Sequence, residues 1–271
     1  TIVDRLVESA APPKLGGESR ELTVLFSDIQ GFTQISEPLS PSDLVRFLNQ
    51  YLSVMTDIIE KHGGFVDKYI GDAVVGVFGA PVDDPDHAHH AVEAAIACQR
   101  HLAEMQESFG LPDSPVVATR FGINTGEMLV GNIGSSRRFN YTVMGDAVNL
   151  AARLESANKT FGTSILVSDS TYQYCGEGIN FLEIDTIRVV GRTTPVTIYE
   201  ALLQPNDTIF SREFAQALAD YREGNFDQAK EKFRPLADAG NSIATRFIAI
   251  IVAMSDTEKS NWEGVTNMEN K

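Results

Sequence analysis

The chain has 271 residues and a formal net charge of −15, with 43% of its residues hydrophobic and 22% charged. That is the composition of a globular protein able to bury its own core without disulfide or metal staples. The acidic balance excludes a bulk nucleic-acid coat, so no nucleic-acid partner is expected and an anionic substrate would need locally placed cations. Two cysteines, Cys98 and Cys175, are too few for a disulfide framework and fit a reducing compartment.

Residues 1–20 read as a lead-in, with a short stripe of Ile2, Val3, Leu6 and Val7 stopped by Pro12-Pro13 and loosened at Gly16-Gly17. Two readings stand side by side: a plain linker, or the end of a parallel signalling helix that carries an upstream input.

Residues 21–202 form one continuous pattern. A buried strand over 22–26 is followed by a helix capped at Ser40, with Pro41 in its first turn. Leu44, Leu48, Leu52, Met55 and Ile59 give that helix its apolar stripe, and Gly63-Gly64 ends it. Strands over 65–70 and 73–78 flank a Gly71-Asp72 turn. A second helix opens at Asp84-Pro85-Asp86 and shows Ala88, Val92, Ala95, Leu102 and Met105 on one side. Strands over 116–124 and 128–133 are expected around a Thr125-Gly126-Glu127 turn. A helix over 147–160 and strands over 165–167, 181–190 and 196–202 complete the pattern. Two strand–helix–strand units predict an α+β fold with a ferredoxin-like βαβ-βαβ core and helices on one face of the sheet.

Residues 203–271 change character. Ala217, Leu218, Tyr221, Gly224, Phe226, Ala229 and Phe233 have the spacing of a single tetratricopeptide-like helix–turn–helix, and a third apolar helix is expected over 244–254. One such unit cannot bury its own apolar face, so this small all-α extension is expected to dock on the main domain, a partner, or its copy in a dimer. The last sixteen residues are mostly polar, with Trp262 and Val265 among the exceptions, and are expected to be partly mobile.

Three segments carry chemistry. In Phe26-Ser27-Asp28-Ile29-Gln30-Gly31-Phe32-Thr33 a strand delivers an aspartate to its end, and a glycine turn then exposes backbone N–H groups. This suits a hard cation on the carboxylate and phosphate on the amides, although an acid after a strand is usually a turn residue or helix cap. In Asp67-Lys68-Tyr69-Ile70-Gly71-Asp72 a second carboxylate sits in a hairpin turn, and strand alternation turns Lys68 away from Asp67. Two carboxylates on adjacent strand ends can hold two divalent ions. In the segment from Tyr141-Thr142 to Arg153, Asn149 and Arg153 are spaced i, i+4 on one helix face. They can meet a sugar oxygen and a phosphate, or form a solvated stripe.

Taken together, these segments resemble the class III nucleotidyl cyclases, in the subgroup with threonine at the adenine-reading position and similar to bacterial sensor-linked adenylate cyclases. The resemblance covers 21–202. It implies that Asp28 and Asp72, with the Ile29 carbonyl, ligate two Mg²⁺ or Mn²⁺ ions per site, and that Gly31, Phe32 and Thr33 hold the β- and γ-phosphates. It further implies that Lys68 and Thr142 read the purine, that Asn149 places the ribose and that Arg153 stabilises charge at the α-phosphate. Arg120 matches a further phosphate-binding arginine. Arg192 stands where many members carry a lysine on the terminal phosphates. The sites implied lie at the interface of a homodimer.

The Lys68 ammonium can donate to adenine N1, whereas guanine N1 carries a hydrogen. ATP is therefore the expected substrate and 3′,5′-cyclic AMP the product, with guanylyl or dual-specificity turnover and a non-catalytic nucleotide-binding module as the alternatives. The turn Tyr69-Ile70-Gly71-Asp72-Ala73 lacks the Gly-Gly-Asp/Glu-Glu-Phe signature of a diguanylate cyclase. The cluster Asp86-His87-Ala88-His89-His90 reads first as a helix start rather than a metal site. Because the first residue is Thr1, a longer protein is expected, with a sensor or membrane span upstream, a cytoplasmic catalytic domain and an inner-membrane anchor.

Overall fold

A computed structural model describes residues 15–111, 116–204 and 208–268. The lead-in stripe of Ile2, Val3, Leu6 and Val7 lies outside these residues. Residues 16–20, read as linker, are strand: β1 runs over Gly16–Ile29 and pairs along its whole length with β4. After a short helix α1 (Phe32–Ser36) come α2 (Pro41–Lys61), β2 (Phe65–Ile70), β3 (Ala73–Phe78) and α3 (His87–Glu104). Next are β4 (Thr119–Ser135), β5 (Arg138–Met144), α4 (Asp146–Phe161), β6 (Ile165–Ser168), α5 (Asp169–Tyr174), β7 (Phe181–Arg188) and β8 (Val196–Ala201). The extension comprises α6 (Thr208–Arg222), α7 (Phe226–Asp238), α8 (Ser242–Ala253), α9 (Asp256–Ser260) and β9 (Thr266–Asn267).

The strands form one sheet in the order β2-β3-β1-β4-β6-β8-β7-β9, with β5 paired to β4 off this path. The first four strands, with α2 and α3 as connections, are the expected ferredoxin-like core. All pairings are antiparallel except β4–β6 and β7–β9. One expected turn is absent. Thr125, Gly126 and Glu127 continue β4 as a single strand, because β1 is long enough to pair with them at Thr23, Leu22 and Glu21. The chain reverses later, and β5 returns along the far half of β4.

The helices occupy both faces of the sheet, not one. Phe121 and Ile123 of β4 pack with Phe47, Tyr51, Met55 and Ile59 of α2 and with the alanine-rich side of α3. Gly122, between them, faces the other way onto α4. A Cβ there would lie 2.0 Å from the Glu155 nitrogen and 2.2 Å from the Ala151 oxygen. Only a glycine lets the backbones of α4 and β4 approach so closely. The buried stripe of α2 is Phe47, Tyr51, Met55 and Ile59, with Leu48 and Leu52 only partly buried. The larger aromatic rings, one turn apart, take the inside position.

The extension docks on its own chain. Phe214, Tyr221, Phe233 and Phe247 share one core with Leu150, Leu154 and Phe161 of α4 and with Ile184, Ile187 and Ile198 of the sheet. The described part of the polar tail, to Met268, forms structure as well. Ser255 and Glu258 make a capping box that starts α9. Trp262 packs on Tyr221 with ring centroids 4.9 Å apart, and Thr266–Asn267 adds the last strand to the sheet. Asp185 of β7, fully buried, accepts hydrogen bonds from Thr266 Oγ1 at 2.5 Å and the Thr186 amide at 2.8 Å. Burial pushes its carboxyl up to about 7.

Candidate active site

At one end of β1 the strand runs out at Asp28 and Ile29, beside the β2–β3 turn. Gly71 takes a positive φ of 67° there, and Asp72 turns back to accept the Ile29 amide at 3.1 Å through Oδ2. Burial, and then the negative charge of Asp28, raise the Asp72 carboxyl above the usual range. The two carboxylates are thus neighbours that repel. Arg120 stands opposite Asp28 in the β1–β4 register and donates from Nη2 to Asp28 Oδ2 at 2.9 Å. Its Nε lies 3.0 Å from Oε1 of Glu155 on α4. Burial raises the Glu155 carboxyl, against the lowering pull of Arg120. After Asp28 the chain passes through Gly31, whose φ of 70° caps the short helix that begins Phe32-Thr33.

The base-reading candidates form a second group. The β2–β3 register slips between Val66 and Lys68, so Asp67 is the extra residue of a β-bulge. The bulge overturns the expected alternation: Asp67 and Lys68 now reach the same neighbour. Thr142 of β5 donates from Oγ1 to Asp67 Oδ2 at 2.8 Å. Lys68 Nζ lies 3.2 Å from that oxygen and 3.3 Å from Thr142 Oγ1. The Asp67 side chain is 2% exposed and that of Lys68 49%. Lys68 and Thr142 are therefore brought together, and Asp67, which motif reading left without a role, joins them.

The third group is on α4. Asn149 is exposed, and Arg153 one turn on is half-buried. Arg153 Nη1 is buried with no hydrogen-bond partner. The β7–β8 loop closes beside it: a Cβ on Gly191 would lie 3.3 Å from Arg153 Nη2. In the same loop Arg192 Nε is 3.3 Å from Asp146 Oδ2, at the start of α4. Two guanidinium groups thus flank the Gly191 turn.

The other candidates resolve into structure. The three imidazoles of α3 go separate ways: His87 Nδ1 to Thr23 Oγ1, His89 Nδ1 to the Cys175 carbonyl and His90 Nδ1 to Asp84, each at 2.7 Å. Among the described residues no group of three His, Cys, Asp or Glu side chains is placed to hold a metal ion. No described helix is long and apolar enough to cross a membrane.

Residues 17–201 match the family described as the adenylate and guanylate cyclase catalytic domain. Adenylate cyclase 1 of Rhizobium meliloti (strain 1021) is 38% identical over 183 residues, which are 68% of this chain and 28% of that protein. The chain thus spans less than a third of that relative's length. Among solved structures, the adenylyl cyclase CyaB from P. aeruginosa is 38% identical, with a TM-score of 0.64, over 71% of this chain and 99% of that one. The guanylyl cyclase Cya2 is also 38% identical, with a TM-score of 0.64, over 69% of this chain and 94% of that one. The chain belongs to the class III adenylate and guanylate cyclase catalytic-domain family.

Proposed function

We propose that this chain converts ATP to 3′,5′-cyclic AMP and pyrophosphate. The observation that carries the choice of base is the pairing of Lys68 Nζ and Thr142 Oγ1, 3.3 Å apart. A donor beside a hydroxyl held by a carboxylate is the complement of adenine, which offers an acceptor at N1 and a donor at its amine.

Each remaining group has a part. The buried, unpartnered Nη1 of Arg153 is a donor waiting for an anion, and it meets the charge that builds at the α-phosphate as the 3′-oxygen attacks. Asn149, exposed on the same face, orients the ribose. Arg192 and Arg120 bind phosphate oxygens, and the Gly31-Phe32-Thr33 turn offers its amides to the β- and γ-phosphates. Asp28 and Asp72 would hold two Mg²⁺ or Mn²⁺ ions: their carboxylates crowd each other, and bound cations would relieve the repulsion that raises Asp72. The Ile29 carbonyl would complete that donor set. When bound, such ions lower the pKa of the 3′-hydroxyl and neutralise the leaving pyrophosphate.

Asp28, Asp72 and Arg120 of one protomer are proposed to meet Lys68, Asn149 and Arg153 of its partner across a homodimer. An upstream sensor or membrane segment in a longer protein would act by changing how the two protomers meet. The similarity to Cya2, a guanylyl cyclase, keeps GTP as the second reading. Incubation with ATP or GTP and Mg²⁺ or Mn²⁺, followed by chromatography of the products, tests both. Cyclic AMP from ATP in excess of cyclic GTP from GTP is the expected result. Preferential cyclic GTP formation, or no cyclic product from either, defeats the proposal.

A further inference from the structure

We infer that Asp67 is a positioning residue that sets the purine preference by fixing which way the Thr142 hydroxyl points. The inference rests on the proposed reading of the site as one that binds a purine nucleotide against Lys68 and Thr142.

A threonine hydroxyl has one hydrogen and two lone pairs, and it rotates freely. Left to itself, Thr142 could accept from the amine of adenine or donate to the O6 of guanine with equal ease. Asp67 removes that freedom. Its Oδ2 takes the only hydrogen of Thr142 at 2.8 Å, and Lys68 Nζ donates to one lone pair at 3.3 Å, so the hydroxyl can turn only its remaining lone pair toward a base. The same oxygen lies 3.2 Å from Lys68 Nζ, which fixes one ammonium hydrogen; a second is directed at Thr142 Oγ1, 3.3 Å away, and the third is left to donate to a base. The pair then presents an acceptor and a donor side by side. Adenine satisfies both. Guanine would set an acceptor against the hydroxyl and a donor against the ammonium.

Two features of the backbone and burial support this. The bulge at Asp67 is what lets Asp67 and Lys68, adjacent in sequence, share a neighbour, and bulges re-aim side chains in this way. The other carboxylate oxygen, Oδ1, is buried without a hydrogen-bond partner. Such an orphan is costly and calls for an explanation beyond packing.

The test is the ratio of kcat/KM for ATP to that for GTP in wild type, Asp67→Asn, Thr142→Val and the double variant. An asparagine amide can donate to Thr142, which frees the hydroxyl to donate outward. Asp67→Asn should lower the ATP/GTP ratio about tenfold, mostly through KM for ATP, the size expected for one reversed hydrogen bond. Asp67→Glu should recover part of the ratio. In the Thr142→Val background the same Asp67→Asn change should move the ratio less than about twofold, because Asp67 acts through the hydroxyl. A ratio unchanged by Asp67→Asn, or a full-sized effect without the hydroxyl, overturns the inference. Should Asp67→Asn fail to fold by circular dichroism, purine riboside triphosphate, which lacks the amine, replaces it as the probe. Wild type should discriminate against it relative to ATP, Thr142→Ser should keep that discrimination and Thr142→Val should lose it; equal behaviour of the three proteins overturns the inference. If wild type turns over neither nucleotide, the proposed activity fails by itself. The dissociation constants for ATP and GTP in the same variants then decide the role of Asp67.

Discussion

Arg120 and Asp28 face each other across the β1–β4 pair, with Nη2 2.9 Å from Oδ2, and the same guanidinium also meets Glu155 on α4. One cation therefore links a proposed metal-binding carboxylate to the helix that carries Asn149 and Arg153. Arg120→Ala leaves two carboxylates in a largely buried setting without a counter-charge. It should destabilise the fold by about 2–4 kcal/mol and lower kcat/KM for ATP more than tenfold. Denaturant melts and steady-state kinetics on the same preparation check this, and a variant as stable as wild type would show that the pair does not matter to the fold.

Complementation tests the sharing of sites. Asp28→Ala and Arg153→Ala should each be nearly inactive, since each spoils both sites of a homodimer. Mixed in equal amounts with subunit exchange verified, they should regain up to about a quarter of wild-type activity, because half the dimers then hold one intact site. Absence of any recovery would place all the essential groups within one protomer.

Gly122→Ala addresses the contact between sheet and helix. The added methyl would fall 2.0 Å from the Glu155 nitrogen, so α4 must move away from β4. A loss of at least about 2–3 kcal/mol in stability is expected, as for other overpacked sites. Activity should fall further than stability predicts, because Arg153 moves with the helix. Comparing activity per folded molecule with wild type separates the two effects, and an unaltered melting temperature contradicts the close approach.

The pH dependence of stability follows from Asp185. Its carboxyl is raised from 3.8 to about 7 in the folded protein. Between these values the folded chain holds a proton that the unfolded chain has released, so this group makes stability fall as pH rises through that window. Glu200, also raised to about 7 by burial, contributes in the same direction. Asp185→Asn should flatten the fall in stability between about pH 4 and 7 by roughly one proton's worth. Urea midpoints across that range, with parallel lines for the two proteins as the refuting outcome, measure it.

Much of the site was readable because its residues lie on short local signals: a strand end, a hairpin turn and one helix face. They single out Asp28, Asp72, Asn149 and Arg153 as candidates, although each signal alone also reads as a turn residue or a solvated stripe, and their proposed roles come from the family resemblance. The relationship of Asp67 to Lys68 was not readable, because strict alternation along a strand sets neighbours on opposite faces, and a bulge leaves no mark in residue type. Glu155 was hidden for a similar reason: its partner Arg120 is defined by the register of two strands and the closeness of a helix over Gly122. Thr125-Gly126-Glu127 looks like a turn locally, and only the length of β1 keeps it extended. Trp262 in a polar tail gave the one hint that the tail is anchored, since a lone indole is more often packed than exposed.

Tyr221, Thr266 and Asp185 meet in one buried polar knot, with Tyr221 Oη 2.7 Å from Thr266 Oγ1. The Thr266–Asp185 contact joins residues 81 positions apart, and the strand it secures is only two residues long. A short strand gains little until its flanking helices are in place, and so long a loop is slow to close by chance. The strands up to β8 can therefore pair before the knot exists, with Asp185 open to water in the meantime. Closure of the knot is expected among the last steps on the folding path, and α4 beneath the extension acquires its final packing only then.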